Sequence, residues 1–108
     1  MKSCCVTDVG QRRTTNQDFV YASEEPVGNL PNLFVVADGM GGHKAGDMAS
    51  RYTVEVILES VRMDKEQNPI KVIRKAIEKA NTKVLEKASQ DANLAGMGTT
   101  VVVATVIG

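Results

Sequence analysis

The tightest constraint on the fold is the stretch from Asn32 to Ser50, NLFVVADGMGGHKAGDMAS. Five apolar residues, Leu33 to Ala37, read as a buried central strand. A lone carboxylate, Asp38, follows, with Gly39, Gly41 and Gly42 close behind it. A helix then begins, carrying Ala45, Met48, Ala49 and Tyr52 on one side. An acid at the carboxyl end of a buried strand is costly unless a metal, hydrogen bonds or solvent compensate it. The neighbouring glycines let backbone carbonyls and amides approach an ion or a phosphate closely. Strand, acid, glycine turn and helix in this order describe a metal or phosphate site. The plainer alternative is a tight turn in which Asp38 caps the helix.

At 108 residues the chain has room for one small domain, burying about 65% of its unfolded surface. Thirteen basic and thirteen acidic residues cancel, so overall charge argues for neither nucleic acid nor membrane as a partner. No apolar run approaches the length of a membrane span, and Val101 to Ile107 is far too short. The opening MKSCCVTDVG lacks the apolar core of a secretory signal. Cys4 and Cys5 are adjacent, a spacing poorly suited to a disulfide, which fits a reducing, cytoplasmic setting.

Ahead of the central stretch, Cys4 to Val9 reads as a first strand, and Gln11 to Gln17 is polar and basic. Asp18 to Ala22 alternates again, with Asp18, Val20 and Ala22 on one face and Phe19 and Tyr21 on the other. Ser23 to Pro31, with two prolines, a glycine and an asparagine, reads as a surface loop between neighbouring strands. The first helix should run to about Arg62. Asn68-Pro69 starts a second, whose apolar stripe is Ile73, Ala76, Ile77, Ala80 and Val84. Its other side carries Lys71, Lys75, Lys79, Lys83 and Lys87, a pattern expected of a solvated face. After Gly96-Met97-Gly98, the β-branched run Thr99 to Ile107 predicts a strand buried on both faces. Within so short a chain that strand is expected to lack partners and to lie with an open edge. It suggests the first part of a longer protein.

Two carboxylates, Asp18 and Asp38, can stand at the ends of neighbouring strands, close enough to share a cation if those strands pair. All-oxygen ligation selects hard ions, Mg²⁺ or Mn²⁺, and no Cys/His cluster argues for zinc. Arg12 and Arg13 shortly precede Asp18, and a guanidinium beside such a site suits phosphate through its forked donors. The sole histidine, His43, stands at the helix entrance, either as a general acid or phosphate donor or as a residue satisfied by backbone groups. Gly-Met-Gly-Gly-His completes no GxGxxG fingerprint. Lys44 precedes Gly46, so the Walker arrangement fails too.

DVGQRRTTNQD, VVADGMGGHKAGDMAS and GMGTTVVVA, in this order, resemble the successive motifs of the metal-dependent PPM/PP2C-type serine/threonine protein phosphatases. The similarity is to the bacterial branch, stand-alone partners of eukaryotic-like kinases. The resemblance implies an α+β fold, a four-layer αββα sandwich around two Mn²⁺ or Mg²⁺ ions. Residues 1–108 would be the N-terminal portion of one such domain, about four strands and two helices, ending before the remaining metal ligands. Arg13 matches the phosphate-binding arginine of the RxxNxD motif, and Asp18 the acid closing it, a ligand directly or through water. Asp38 matches the carboxylate bridging both metals, and Gly39 the residue lending its carbonyl. Thr99 and Thr100 match a strand near the site. Animal members place a histidine directly after the Asp-Gly pair, where this chain has Met40; His43 follows the bacterial pattern.

The resemblance therefore implies an enzyme that hydrolyses phosphoserine and phosphothreonine on proteins, among them substrates of a eukaryotic-like kinase. It needs neither nucleic acid nor membrane. The alternative is a non-catalytic phosphoprotein-binding or regulatory module with a partial phosphatase fold. A histidine-kinase-type ATP site is disfavoured, because it needs an asparagine-bearing helix where strands are expected. The fragment by itself is expected to bind metal weakly and to show little or no activity.

Overall fold

The computed structural model describes residues 3–9, 18–40, 43–91 and 98–107. Four strands and two helices follow one another: β1 (Ser3–Val9), β2 (Asp18–Ser23), β3 (Leu33–Met40), α1 (His43–Met63), α2 (Pro69–Gln90) and β4 (Gly98–Ile107). The strands form one antiparallel sheet in the order β1-β4-β3-β2. Two helices separate β3 from β4. Each reverses the chain, so an even number returns it to the end where β3 stopped, and β4 must run antiparallel to β3.

Alternation sorts the sheet into two unlike faces. On one, Leu33, Val35 and Ala37 of β3 and Val101, Val103 and Thr105 of β4 are buried, with Phe19 and Tyr21 of β2 packed beside them. Val54, Ile57 and Val61 of α1 and Val72, Ile73, Ala76, Ile77 and Ala80 of α2 complete this core. The apolar stripe expected on α2 is thus buried throughout. The other face carries Val20, Val36, Val102 and Ala104, of which Val20 is 63% and Val36 43% exposed. Two expectations need correcting here. β4 is sealed on one face only, because the helix layer covers a single side. It also has no open edge: β1 and β3 flank it, and the edges belong to β1 and β2.

Asn32, just before β3, ties the far end of the β3–β4 pair. Its side-chain amide donates to the Val106 carbonyl (2.9 Å) and accepts from the Val106 amide (2.7 Å), as a strand peptide would. The buried Thr105 hydroxyl donates to the Asn32 backbone carbonyl at 2.8 Å and lies 3.1 Å from its Oδ1.

The β2–β3 connection is less of a surface loop than its composition suggests. Val27 and Leu30 exchange both backbone hydrogen bonds (2.9 and 3.0 Å) and are 5% and 1% exposed, anchored in the main core. Between them Gly28 adopts φ 57°, and a β-carbon there would collide with the Val61 carbonyl oxygen of α1.

Asn68 caps α2 as expected, accepting from the amides of Ile70 (3.0 Å) and Lys71 (3.4 Å). In the connector before it, the Asp64 carboxylate accepts from the Glu66 amide (2.9 Å) and from Lys75 Nζ (3.4 Å). Glu66 in turn accepts from the amides of Asn68 and Gln67. The backbone bond from Glu66, reinforced by Lys75, holds Asp64 below the usual carboxylate range against the opposing effect of desolvation. Glu66 is lowered chiefly by the Asn68 amide.

Candidate metal centre

Strand register builds the site. Asp18 is the first residue of β2, and its partner across the ladder is Asp38 of β3. On Asp38's other side stands Thr100 of β4, so one row crosses three strands: Asp18, Asp38, Thr100. Ala37 and its partner Val101 are buried under the helices, and alternation therefore sets Asp38 and Thr100 on the face without helices. Both residues are half-buried, yet Asp38 Oδ1 and Thr100 Oγ1 are each closed to solvent.

The expected strand pairing of Asp18 and Asp38 is thus found, but the strand does not stop before the acid. β3 continues through Gly39 to Met40 because β4 keeps pairing with it, Gly39 opposite Thr99 and Met40 opposite Gly98. Asp38 lies inside the strand, with residues 39–42 between it and the start of α1, so it is not a helix cap. His43 is the first residue of α1. Arg13, the other residue expected at the site, lies outside the described residues, as do Arg12, Gly41 and Gly42.

Like charges directly opposite each other on a sheet are destabilising, since such positions hold Cβ atoms about 4.5–5.5 Å apart. A shared cation removes that repulsion, and carboxylate oxygens suit hard divalent ions. The residue types therefore fit Mg²⁺ or Mn²⁺. They fill only part of a coordination shell: two carboxylates and one backbone carbonyl, where such an ion takes about six oxygens. Among the described residues no group of three or more His, Cys, Asp or Glu side chains converges.

Of Thr99 and Thr100, both expected on a strand near the site, Thr100 stands directly beside Asp38. Its signal was present in the alternation, because a threonine one position before buried Val101 must occupy the opposite face.

A groove of about 550 Å³ lies elsewhere, between the C-terminal end of α1 and α2, lined by Ser60, Met63, Lys75 and Lys79. None of its lining residues belongs to the acid row. The lysine row on α2 borders it and is exposed apart from half-buried Lys87. Lys75 pairs with Asp64, and Lys87 lies over the Tyr52 ring at 4.7 Å. No helix among the described residues is long and apolar enough to cross a membrane.

An antiparallel sheet with a helix pair on one face, and two acids opposed in register across β2 and β3, defines an α+β protein. The chain belongs to the protein phosphatase 2C family, whose model matches residues 9–108. It is 36% identical over 111 residues to protein phosphatase PhpP of Streptococcus pneumoniae, covering 99% of this chain and 44% of that protein. The solved serine/threonine phosphatase of S. agalactiae superposes with a TM-score of 0.64 at 31% identity, over 100% of this chain and 45% of that one. The catalytic domain of serine/threonine phosphatase PstP, solved in complex with two manganese ions, gives a TM-score of 0.66 at 26% identity, over 94% and 42%. The chain spans less than half the length of these relatives. Its helix layer and sheet are the expected portion of the phosphatase fold.

Proposed function

We propose that the protein carrying this chain hydrolyses phosphoserine and phosphothreonine on other proteins, with two Mn²⁺ or Mg²⁺ ions held around the Asp18–Asp38 row. The observation that carries this reading is the direct opposition of the two acids across β2 and β3. Relatives named protein phosphatases, and the neighbour that binds two manganese ions, support it. When bound, such ions activate a water and offset charge on the phosphate. Asp38, paired with β2 on one side and β4 on the other, would offer its carboxylate to the ions. Asp18 contributes from its neighbour strand, directly or through water, and Gly39 offers its carbonyl.

Arg13 holds the phosphate oxygens through its forked donors. β1 ends at Val9, opposite Val101, and β2 begins at Asp18, so both strand ends beside the Arg13 segment lie at the acid-row end of the sheet. His43, the first residue of α1, would be the candidate to protonate the departing seryl or threonyl oxygen. In the overall reaction the ester P–O bond breaks, the water oxygen joins phosphorus, and the alcohol takes a proton. Substrates of a eukaryotic-like kinase are the expected phosphoproteins, in a cytoplasm reducing enough to keep Cys4 and Cys5 as thiols.

The test is phosphate release from a phosphothreonine peptide by the full-length protein with Mn²⁺. Asp38→Asn should abolish turnover, and equal rates for variant and wild type would end this mechanism. The competing reading is a phosphoprotein-binding regulatory module. Saturable phosphopeptide binding without any turnover would establish it instead.

A further inference from the structure

The outer side of the helix layer carries a groove that follows the seam between α1 and α2, and its two walls differ in charge. Lys75, Lys79 and Lys83 stand on the α2 wall, interrupted by Glu78, and Glu55, Glu59 and Asp64 stand on the α1 side. Lys75 and Asp64 pair across the seam at 3.4 Å. Lys79, Lys83, Glu55 and Glu59 line one hollow of about 230 Å³, yet no ion pair joins them among the described residues. Large apolar side chains stand exposed on the same two helices: Met48 and Met63 on α1 and Leu85 on α2, with Met63 at 73%. Opposite charges that do not close on each other, beside exposed methionines, suit a contact surface better than a solvated one.

We propose that this surface is an interface between two copies of the chain, related by a two-fold axis along the α1–α2 seam. The two helices lie side by side in opposite directions, because the short connector 64–68 reverses the chain. Rotation about the seam keeps each residue's height along it and exchanges the two walls. It therefore lays each copy's acidic wall over the other's basic wall, and Glu55 and Glu59 meet Lys79 and Lys83 twice. A two-fold across the seam would lay acid on acid and base on base, which charge forbids. The seam axis is thus the one that charge selects, and an isologous contact of this kind closes at two copies. Two packed helices about 30 Å long and together about 20 Å wide offer about 600 Å² per copy. The total of about 1,200 Å² stands at the lower bound for a specific interface, so the dimer should part on dilution and in salt. Asp38 lies on the opposite face of the sheet, and pairing of the helix layers leaves it uncovered.

Sedimentation equilibrium of the full-length protein at low and high salt is the test. Wild type should form a dimer that weakens as salt rises. Lys79→Glu with Lys83→Glu makes both walls acidic, and Glu55→Lys with Glu59→Lys makes both basic. Each double variant alone should associate at least about tenfold more weakly than wild type, since like charges then face each other. An equimolar mixture of the two should regain a dimer, because each copy supplies the charge that the other lacks.

A wild type that stays monomeric at low salt overturns the proposal, and so does a dimer that both double variants keep. A mixture that remains monomeric, or that assembles beyond two copies, overturns the two-fold arrangement. A monomer whose Lys79 and Lys83 hold anionic vesicles or an acidic peptide overturns it as well and gives the face to another partner. Should charge reversal unfold the helix pair, seen as lost helical circular dichroism, Lys79→Gln with Lys83→Gln carries the same test through a smaller loss of association. Phosphate release enters none of these readouts, so the result is independent of whether the acid row holds metal.

Discussion

The two faces of the sheet are made from alternate residues of the same strands and answer to different demands. Val35 and Val36 are neighbours in sequence. Val35 is completely buried against the helix layer and Val36 is 43% exposed on the opposite side. The helix-backed face holds the apolar mass of the core, so its residues are set by packing. The open face holds Asp38, whose partner across the ladder is Asp18, and two acids directly opposed on a sheet cost stability unless their charge is offset. Burial identifies what folds this chain; the cost that burial leaves uncompensated marks the proposed site.

This contrast predicts a graded set of stability changes on the helix-backed side. The largest should come from Gly28→Ala, which combines a left-handed backbone with a collision against α1. It should cost about 3 kcal/mol or more in denaturant unfolding. Val35→Ala should cost about 2–3 kcal/mol, while Val36→Ala, one residue along, should stay within about 1 kcal/mol. Equal losses for the two valines would mean that the faces are not as unlike as they look. Removing the α2 cap with Asn68→Ala should cost about 1 kcal/mol, visible as a lower thermal midpoint.

The smallest effect should be on pH dependence. Asp64 and Glu66 have lowered pKa values, so the stability they contribute is complete above the ordinary carboxylate range. It is lost as pH falls through their lowered values. Asp64→Asn should flatten the acid limb of the stability curve slightly, and a steeper limb would reverse the assignment. Both groups lie in the α1–α2 connector, away from the acid row.

Much of this was legible in the sequence because periodicity survives folding. The α2 stripe, its Asn68-Pro69 start and the alternation of β2 all follow from local spacing and hold in the structure. What local spacing could not reveal was which strand neighbours which. The run Thr99 to Ile107 looks two-sided and partnerless, yet the two-helix crossover inserts it between β1 and β3. The loop from Ser23 to Pro31 has turn composition throughout, so the burial of Val27 and Leu30 depends on α1 arriving from elsewhere in the chain. At the site, the chemistry of Asp18 and Asp38 was readable from residue type, while their direct opposition and the place of Thr100 beside them are properties of register.

The central claim is that the opposed acids of the open face hold a divalent ion. It is tested most directly by calorimetric titration of Mn²⁺ into the full-length protein and into Asp38→Asn, with unfolding of both measured in the absence of metal. The account predicts that Asp38→Asn lowers Mn²⁺ affinity by at least about tenfold, as loss of a ligand should exceed the 10–100-fold cost of losing its outer-shell partners. Its metal-free stability should be equal or higher, because one of two opposed charges is gone. Unchanged Mn²⁺ affinity in Asp38→Asn would contradict the account.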